Sequence, residues 1–246
     1  MCTLTLAWQV FEDAPVLVAA NRDEALGRPS EPPARRDWGA RAIAPIDLEA
    51  EGTWLGYNEH GVLVGVTNRW LDADREGERS RGLLVRDALA SETAEDAIRA
   101  VEQELDERIY DGCYLLAADE HAAMLVESGQ ERTVTNLTPG VHVVVNVGAD
   151  GGYSIPAHRQ EAARGQAANA DAVRETLKPE PGAQAEEWLD RASEILGNHE
   201  YSVCVHDDGF GTRSASLVKL GADERTYEYA DGPPCETAFE RVNASV

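Results

Sequence analysis

The chain has 246 residues, with 45 acidic and 22 basic side chains and a formal net charge of −23 at pH 7. So large a negative charge repels nucleic acid and anionic membranes, and neither is expected as a partner. The length suffices for one sizeable core, and we treat residues 1–246 as a single domain.

The carboxylates are dispersed from Glu12 to Glu240, and the only lysines are Lys178 and Lys219. Dispersed acid with almost no lysine indicates adaptation of the whole surface to high cytoplasmic salt, because salt screens self-repulsion. No apolar run reaches the ~18 residues of a membrane span. The N-terminus also lacks the pattern of a secretory signal, so a cytoplasmic location is expected.

Apolar and alternating stretches predict strands separated by two pairs of helices. In chain order the predicted strands are 3–10, 15–21, 52–58, 61–68, 114–119, 122–128, 141–147, 201–207, 214–220 and 225–231. The proline-rich stretch 28–37 predicts a loop. Ser80 and Thr93 are expected to cap the first two helices, and two more are expected near 158–177 and 184–196. Antiparallel hairpins interrupted by helix pairs indicate an α+β fold.

Polar side chains follow the apolar runs of several predicted strands, at or just beyond the strand ends. They are Asn21, Arg22 and Asp23 after the second strand, Asn68 and Arg69 after VLVGV, Asn146 after VHVVV, and Arg213 in the loop GFGTRS. Each one alone is an ordinary turn former. Together they indicate a shared polar site at one end of the sheets, with Trp54 as a further possible lining residue.

Cys2 stands directly behind the initiator methionine, and two interpretations remain open for it. It is either a small apolar residue at the start of a buried strand, or a nucleophile with a free α-amino group once Met1 is removed. The amine titrates near ~7.7–8.0 and could take the thiol proton. A cysteine hydrolase would also need a carboxylate to hold that amine, amide donors for the oxyanion, and a guanidinium.

The segments AANRDE, GTWLG, TNR, SRG with LLVRD, YDGCYLLAAD and GTRS follow one another over nearly the whole chain. In this order they resemble the NRDE family, also called the transport and Golgi organisation protein 2 family. That family is similar in turn to cysteine N-terminal nucleophile hydrolases of the penicillin V acylase and bile salt hydrolase type. The resemblance implies a four-layer αββα sandwich of two antiparallel sheets.

The resemblance also implies roles for individual residues. Cys2 would be the nucleophile, Asp23 would hold its amine, Asn68 and Asn146 would bind the oxyanion, and Arg213 would be the late arginine. Ala20 stands where the acylases have an early arginine, and the nearest arginine here is Arg22. Adjacent strand residues point to opposite faces, so a site-facing Asp23 would turn Arg22 away.

Two functions of different class follow. The first is an amidohydrolase that acts on a small-molecule acyl substrate. The second is a non-catalytic carrier of an apolar ligand such as haem or lipid, which the family resemblance also implies. The six histidines show no H-x₃-H spacing and the four cysteines form no C-x-x-C pair, so no metal and no cofactor are expected. Cys113 and Cys204 are interpreted as inert core thiols.

Overall fold

The computed structural model describes residues 2–73 and 76–246, and the chain forms two compact units. Unit 1 comprises the chain up to Gly27 together with Pro139–Val242, and unit 2 comprises Arg28–Thr138 and Asn243–Val246. No helix within the described residues is long and apolar enough to cross a membrane.

The strands are named in chain order. They are β1 Thr3–Trp8, β2 Val16–Ala25, β3 Ser30–Asp37, β4 Arg41–Asp47, β5 Leu55–Asn58, β6 Leu63–Asn68, β7 Cys113–Ala118, β8 Ala123–Ser128, β9 Thr133–Asn136, β10 Gly140–Val145, β11 Gly148–Ala149, β12 Gly152–Tyr153, β13 His206–Asp207, β14 Phe210–Leu220, β15 Arg225–Ala230 and β16 Glu240–Arg241. The α-helices are α1 Arg81–Ala88, α2 Ala94–Glu107, α3 Gln160–Thr176 and α4 Ala185–Leu196.

Unit 1 is built on an antiparallel sheet that is nine-stranded over the described residues. Its strand order is β12-β11-β10-β1-β2-β14-β15-β16, and β13 pairs with β14. All six residues of β1 are buried, and so are the first eight of β2. A sheet buried on both faces explains why these strands read as nearly continuous apolar runs rather than as a clean alternation. Helix α3 contacts β10, while α4 contacts β2 and β14.

Unit 2 carries an antiparallel sheet in the order β3-β4-β5-β6-β7-β8-β9, seven-stranded over the described residues. The capping of both helices is confirmed: Ser80 accepts from the Gly82 amide, and Thr93 accepts from the Asp96 amide. Apolar residues of α1 and α2, such as Leu84 and Ile98, are buried in one core cluster with residues of β6, β7 and β8. Each unit is therefore a sheet with two helices packed on it.

The hairpins β1–β2 and β5–β6 and both helix pairs confirm the sequence prediction. Residues 28–37 do not form a loop, because β3 occupies most of that stretch. Its prolines are tolerated since β3 is an edge strand whose register shifts between Glu31 and Ala34. The predicted strand 201–207 is wrong except for β13, since a 3-10 helix at His199–Tyr201 precedes it.

Candidate active site

Cys2 lies just before β1, and the neighbouring ladder fixes what stands beside it. In the antiparallel pairing of β1 with β2, Thr3 is opposite Asn21. The next position of this register places Cys2 opposite Arg22, and directly opposed residues share a face of the sheet. Arg22 therefore shares the face of Cys2. The sequence had predicted the opposite, namely that a site-facing Asp23 would turn Arg22 away from the site.

The Cys2 thiol donates a hydrogen bond to the backbone carbonyl of Asp23, with 3.6 Å between Sγ and the oxygen. Burial raises the pKa of Cys2, and the charge of Asp23 raises it further, whereas Arg22 acts to lower it. The raised pKa favours the protonated thiol over the thiolate. A nucleophilic attack by Cys2 would need a base that removes this proton in the reaction itself.

Asp23 lies within β2 rather than after it, directly opposite Thr212 of β14. The Thr212 hydroxyl donates to Asp23 Oδ1 at 2.6 Å and accepts from the Val205 amide at 2.9 Å. Burial raises the pKa of Asp23, while the hydrogen bond from Thr212 acts to lower it. Thr212 thus fixes the carboxyl group and partly compensates its burial.

Arg213 lies inside β14, not in a loop, and it occupies an irregularity of the ladder. Thr212 is opposite Asp23 and Ser214 is opposite Arg22, so Arg213 is the extra residue between them. A bulge of this kind re-aims a side chain and is common beside active sites.

The charges of Arg22 and Arg213 both act on one phenol, that of Tyr229. Burial raises the pKa of Tyr229, and the charges of Arg22 and Arg213 act to lower it. The strand register places both arginine residues at the end of the sheet where Cys2 and Asp23 lie.

Asn146 follows the last residue of β10, as predicted. Leu4 is opposite Val144 in the pairing of β1 with β10, and two positions further this register reaches Cys2 and Asn146. The Asn146 side chain is buried, and its Oδ1 accepts from Gln166 Nε2 of α3 at 3.0 Å. Because the amide oxygen is held by Gln166, the orientation of the Asn146 NH₂ group is set as well.

Asn21 was expected as a possible lining residue, and the structure gives it other partners. Its Nδ2 donates to the carbonyls of Leu196 at 2.9 Å and Val203 at 2.8 Å. Asn21 shares the face of Thr3, not that of Cys2. It ties β2 to the end of α4.

Three expected residues belong to unit 2. Asn68 is the exposed last residue of β6, and half-buried Trp54 precedes β5 and accepts from the Val66 amide through its backbone. Arg69 lies 3.7 Å from Glu127, and its guanidinium stands 5.3 Å from the centre of the Tyr114 ring. The site roles expected for Asn68, Trp54 and Arg69 stay predictions.

Sequence reasoning missed two residues that position this group. Thr212 could have been found, because it directly precedes Arg213 in GTRS and its hydroxyl can bridge two strands. Gln166 gave no signal, since one glutamine in a polar helix is unremarkable until the fold places it against Asn146.

Comparison with known proteins identifies the family. The family model described as "Transport and Golgi organisation 2" matches residues 1–230. The chain belongs to this family. The transport and Golgi organization protein 2 homolog of Bos taurus is 27% identical over 234 residues, which cover 85% of this chain and 83% of that protein. The homolog of Mus musculus is 34% identical over 110 residues, which cover 42% of this chain and 38% of that protein.

Solved structures of hydrolases share the fold at low identity. Penicillin V acylase from Agrobacterium tumefaciens aligns with a TM-score of 0.55 at 15% identity, covering 94% of this chain and 83% of that chain. The C2A mutant of conjugated bile acid hydrolase from Clostridium perfringens gives a TM-score of 0.57 at 11% identity, covering 99% and 93%. The N-acylethanolamine-hydrolyzing acid amidase ortholog of Caenorhabditis elegans gives 0.53 at 14% identity, covering 88% and 92%. The chain therefore has the α+β, two-sheet fold of these N-terminal nucleophile hydrolases.

Proposed function

We propose that this protein is a cysteine amidohydrolase that cleaves the C–N bond of an N-acylated small molecule. The observation that carries the proposal is the end of the unit 1 sheet, where Cys2 lies beside Arg22 and the Asp23 backbone. The register of β10 brings Asn146 to the same end. The hydrolase neighbours add support at the level of the fold.

The proposed reaction begins with Cys2 bearing a free α-amino group after removal of Met1, which lies outside the described residues. The amine takes the thiol proton, and Sγ attacks the amide carbonyl carbon. The oxyanion receives a hydrogen bond from the Asn146 NH₂ group, which Gln166 orients. The amine then gives its proton to the leaving nitrogen, the C–N bond breaks, and a thioester on Cys2 remains.

Water completes the cycle by hydrolysing the thioester, with the α-amine now acting as general base, and the free acid leaves. The Asp23 carboxyl, fixed by Thr212, would hold the ammonium form of the amine. The pair Arg22 and Arg213 supplies positive charge for the developing oxyanion or for an acidic substrate.

The test is a hydrolysis assay with three N-acyl amides as probes: penicillin V, a conjugated bile acid and an N-acylethanolamine. We expect amine release from at least one probe, abolished by Cys2→Ala and kept by Cys113→Ala, since Cys113 is a buried thiol of unit 2. Asn146→Ala should lower kcat by about 10²–10³. Thermal melts of each variant establish that it is folded.

The alternative function, a carrier of haem or lipid, needs no nucleophile and predicts no amine release that depends on Cys2. Amine release that is equal in wild type and Cys2→Ala, or absent with all three probes, would contradict the hydrolase proposal. The prediction that Asn68 is a second oxyanion donor is tested in the same assay by Asn68→Ala.

A further inference from the structure

Unit 1 also contains a cluster of two cysteines and two histidines that the proposed reaction does not use. The cluster consists of His199, Cys204, His206 and Cys235, and their ligand atoms all lie within 4.8 Å of one another. His199 begins the 3-10 helix at His199–Tyr201, Cys204 lies in the segment leading into β13, His206 is the first residue of β13, and Cys235 lies in the loop between β15 and β16. From this geometry we infer that the protein binds one zinc ion through these four side chains.

The distances among Cys204, His206 and Cys235 match those of a tetrahedral zinc site. A Zn–S bond of about 2.3 Å and a Zn–N bond of about 2.0–2.1 Å require about 3.7 Å between two sulfurs and about 3.5 Å between sulfur and nitrogen. The two Sγ atoms of Cys204 and Cys235 are 3.6 Å apart. His206 Nε2 lies 3.5 Å from Cys204 Sγ and 3.2 Å from Cys235 Sγ.

His199 is the fourth ligand of the inferred site. Its ring centre lies 5.2 Å from that of His206, and the planes are inclined by 42°. The two imidazoles are tilted rather than stacked, and their ligand nitrogens lie within 4.8 Å of each other and of both sulfurs, which fits ligation of one ion better than stacking. A Cys₂His₂ donor set selects zinc over magnesium or calcium, because those hard cations prefer oxygen.

Backbone contacts hold the segment that carries Cys235 in place. The turn at Pro233 is closed by the amides of Glu236 and Thr237, which donate to the Pro233 carbonyl at 3.0 and 2.9 Å. This turn packs on Gly197 at the end of α4, where a Cβ atom would come within 3.2 Å of the Cys235 backbone nitrogen. Cys235 is therefore presented to the other ligands by a preformed turn.

The site is structural in character. Four protein ligands complete a tetrahedron and leave no position for substrate. The ion would join the segment 199–206 to the loop after β15, and Val205, between two ligands, is hydrogen-bonded to Thr212. A disulfide between Cys204 and Cys235 is the competing use of these thiols, but it gives neither histidine a role.

The test uses the whole untagged chain in KCl solution. The protein is reduced, and a chelator removes any bound metal before the titration. Zinc is titrated against a chromophoric chelator, and the stoichiometry is read by native mass spectrometry. We expect one zinc per chain. Co²⁺ should give the thiolate charge-transfer and visible bands of tetrahedral coordination.

Two ligand variants at exposed positions, Cys235→Ser and His199→Gln, should weaken zinc binding by at least about 100-fold, since loss of a group that only hydrogen-bonds to a metal ligand already costs about 10- to 100-fold. The matched controls Cys2→Ser and His158→Gln should bind zinc like wild type. Circular dichroism of the same samples shows whether each variant is folded. Absence of zinc uptake by the wild type at micromolar zinc, undiminished affinity in both ligand variants, or a Cys204–Cys235 disulfide that persists under reductant would overturn the assignment.

Discussion

Thr212 is the residue on which the position of Asp23 depends most directly. Its one hydroxyl accepts from the Val205 amide and donates to Asp23 Oδ1. A buried donor or acceptor that loses its partner is costly. The hydroxyl therefore stabilises the fold and lowers the pKa of Asp23 at once.

Replacing Thr212 with valine keeps the branched shape but removes the hydroxyl. We expect the free energy of unfolding to fall by about 1–3 kcal/mol, because the Val205 amide and one Asp23 oxygen lose a partner. The pKa of Asp23 should rise further, and NMR titration of its carboxyl measures this. The control Thr212→Ser keeps the hydroxyl; an equal loss of stability in both variants would show that packing, not the hydrogen bond, is responsible.

Asp23 should also contribute a pH dependence to stability. Its folded pKa is raised by burial, so the folded state prefers the neutral acid more strongly than the unfolded state does. The stability contributed by Asp23 is complete below the unfolded pKa of about 3.9 and is lost as pH rises through the folded pKa.

Asp23→Asn keeps an acceptor for Thr212 and cannot ionise. Relative to wild type, this variant should therefore gain stability as pH rises from 4 to 8. Urea unfolding of both proteins across this range measures the difference in their free energies of unfolding. The other carboxylates titrate in both proteins, so their contribution cancels in this difference. A difference that is constant with pH would contradict the raised pKa.

The candidate site residues stood out in the sequence because polar groups follow apolar runs, as at Asp23 and Asn146. Their partners were not recognisable. Gln166 lies in a helix and acts only through its contact with Asn146. The zinc-ligand cluster was not predicted from the sequence. Three of its members form the pattern H-x₄-C-x-H, but the fourth, Cys235, lies 29 residues after His206, and only the folded chain brings it close.

At the scale of elements, two glycine-containing segments that carry the family resemblance meet in unit 2. A Cβ atom on Gly52 would lie 2.3 Å from the backbone carbon of Gly82, and the Thr53 amide donates to the Gly82 carbonyl at 3.0 Å. GTWLG and SRG are thus joined by direct backbone contact between the strand entry and the start of α1.

Gly52→Ala should destabilise the protein by about 1–3 kcal/mol or more, because backbone must move to admit the methyl group. Gly165→Ala is the matched control, since this exposed position of α3 has no heavy atom within 4 Å of the added Cβ. It should stabilise by about 0.5–1 kcal/mol through helix propensity. Denaturant unfolding of both variants measures these changes in the free energy of unfolding. A Gly52→Ala variant as stable as the wild type would contradict the close contact.

Strands were predicted well where the chain is apolar and poorly where pairing alone makes them. β3 carries two prolines and four charged side chains, yet it pairs with β4 as an edge strand. The stretch 201–207 reads as a strand by alternation, but its first residues close a 3-10 turn, with Ser202 at a φ of 50°. Neither outcome can be read from the local sequence pattern, because both depend on which other segment of the folded chain is available as a partner.

For the whole molecule, charge is the dominant property. A net charge of −23 makes the compact state repel itself at low salt. The Debye length falls from ~30 Å at 0.01 M to ~3 Å at 1 M, so added salt should stabilise the fold.

We therefore expect the melting temperature to rise with KCl, by about 2–4 °C for each ~1 kcal/mol regained. Most of the rise should come below about 1 M, where screening saturates. Differential scanning calorimetry measures it, with NaCl at equal ionic strength as the control. A melting temperature indifferent to KCl would remove the interpretation of the surface as a salt adaptation.

The central claim is that Cys2 is an acyl-accepting nucleophile with a free amine, and intact mass spectrometry of an acid-quenched reaction tests it most directly. Wild-type protein is mixed briefly with the N-acyl amide that it hydrolyses best, or with penicillin V if none is hydrolysed, and quenched. The account predicts a chain lacking Met1 and a second species heavier by one acyl group, with the adduct mapped to Cys2 and absent from Cys2→Ala. A chain that retains Met1 and shows no adduct would contradict it.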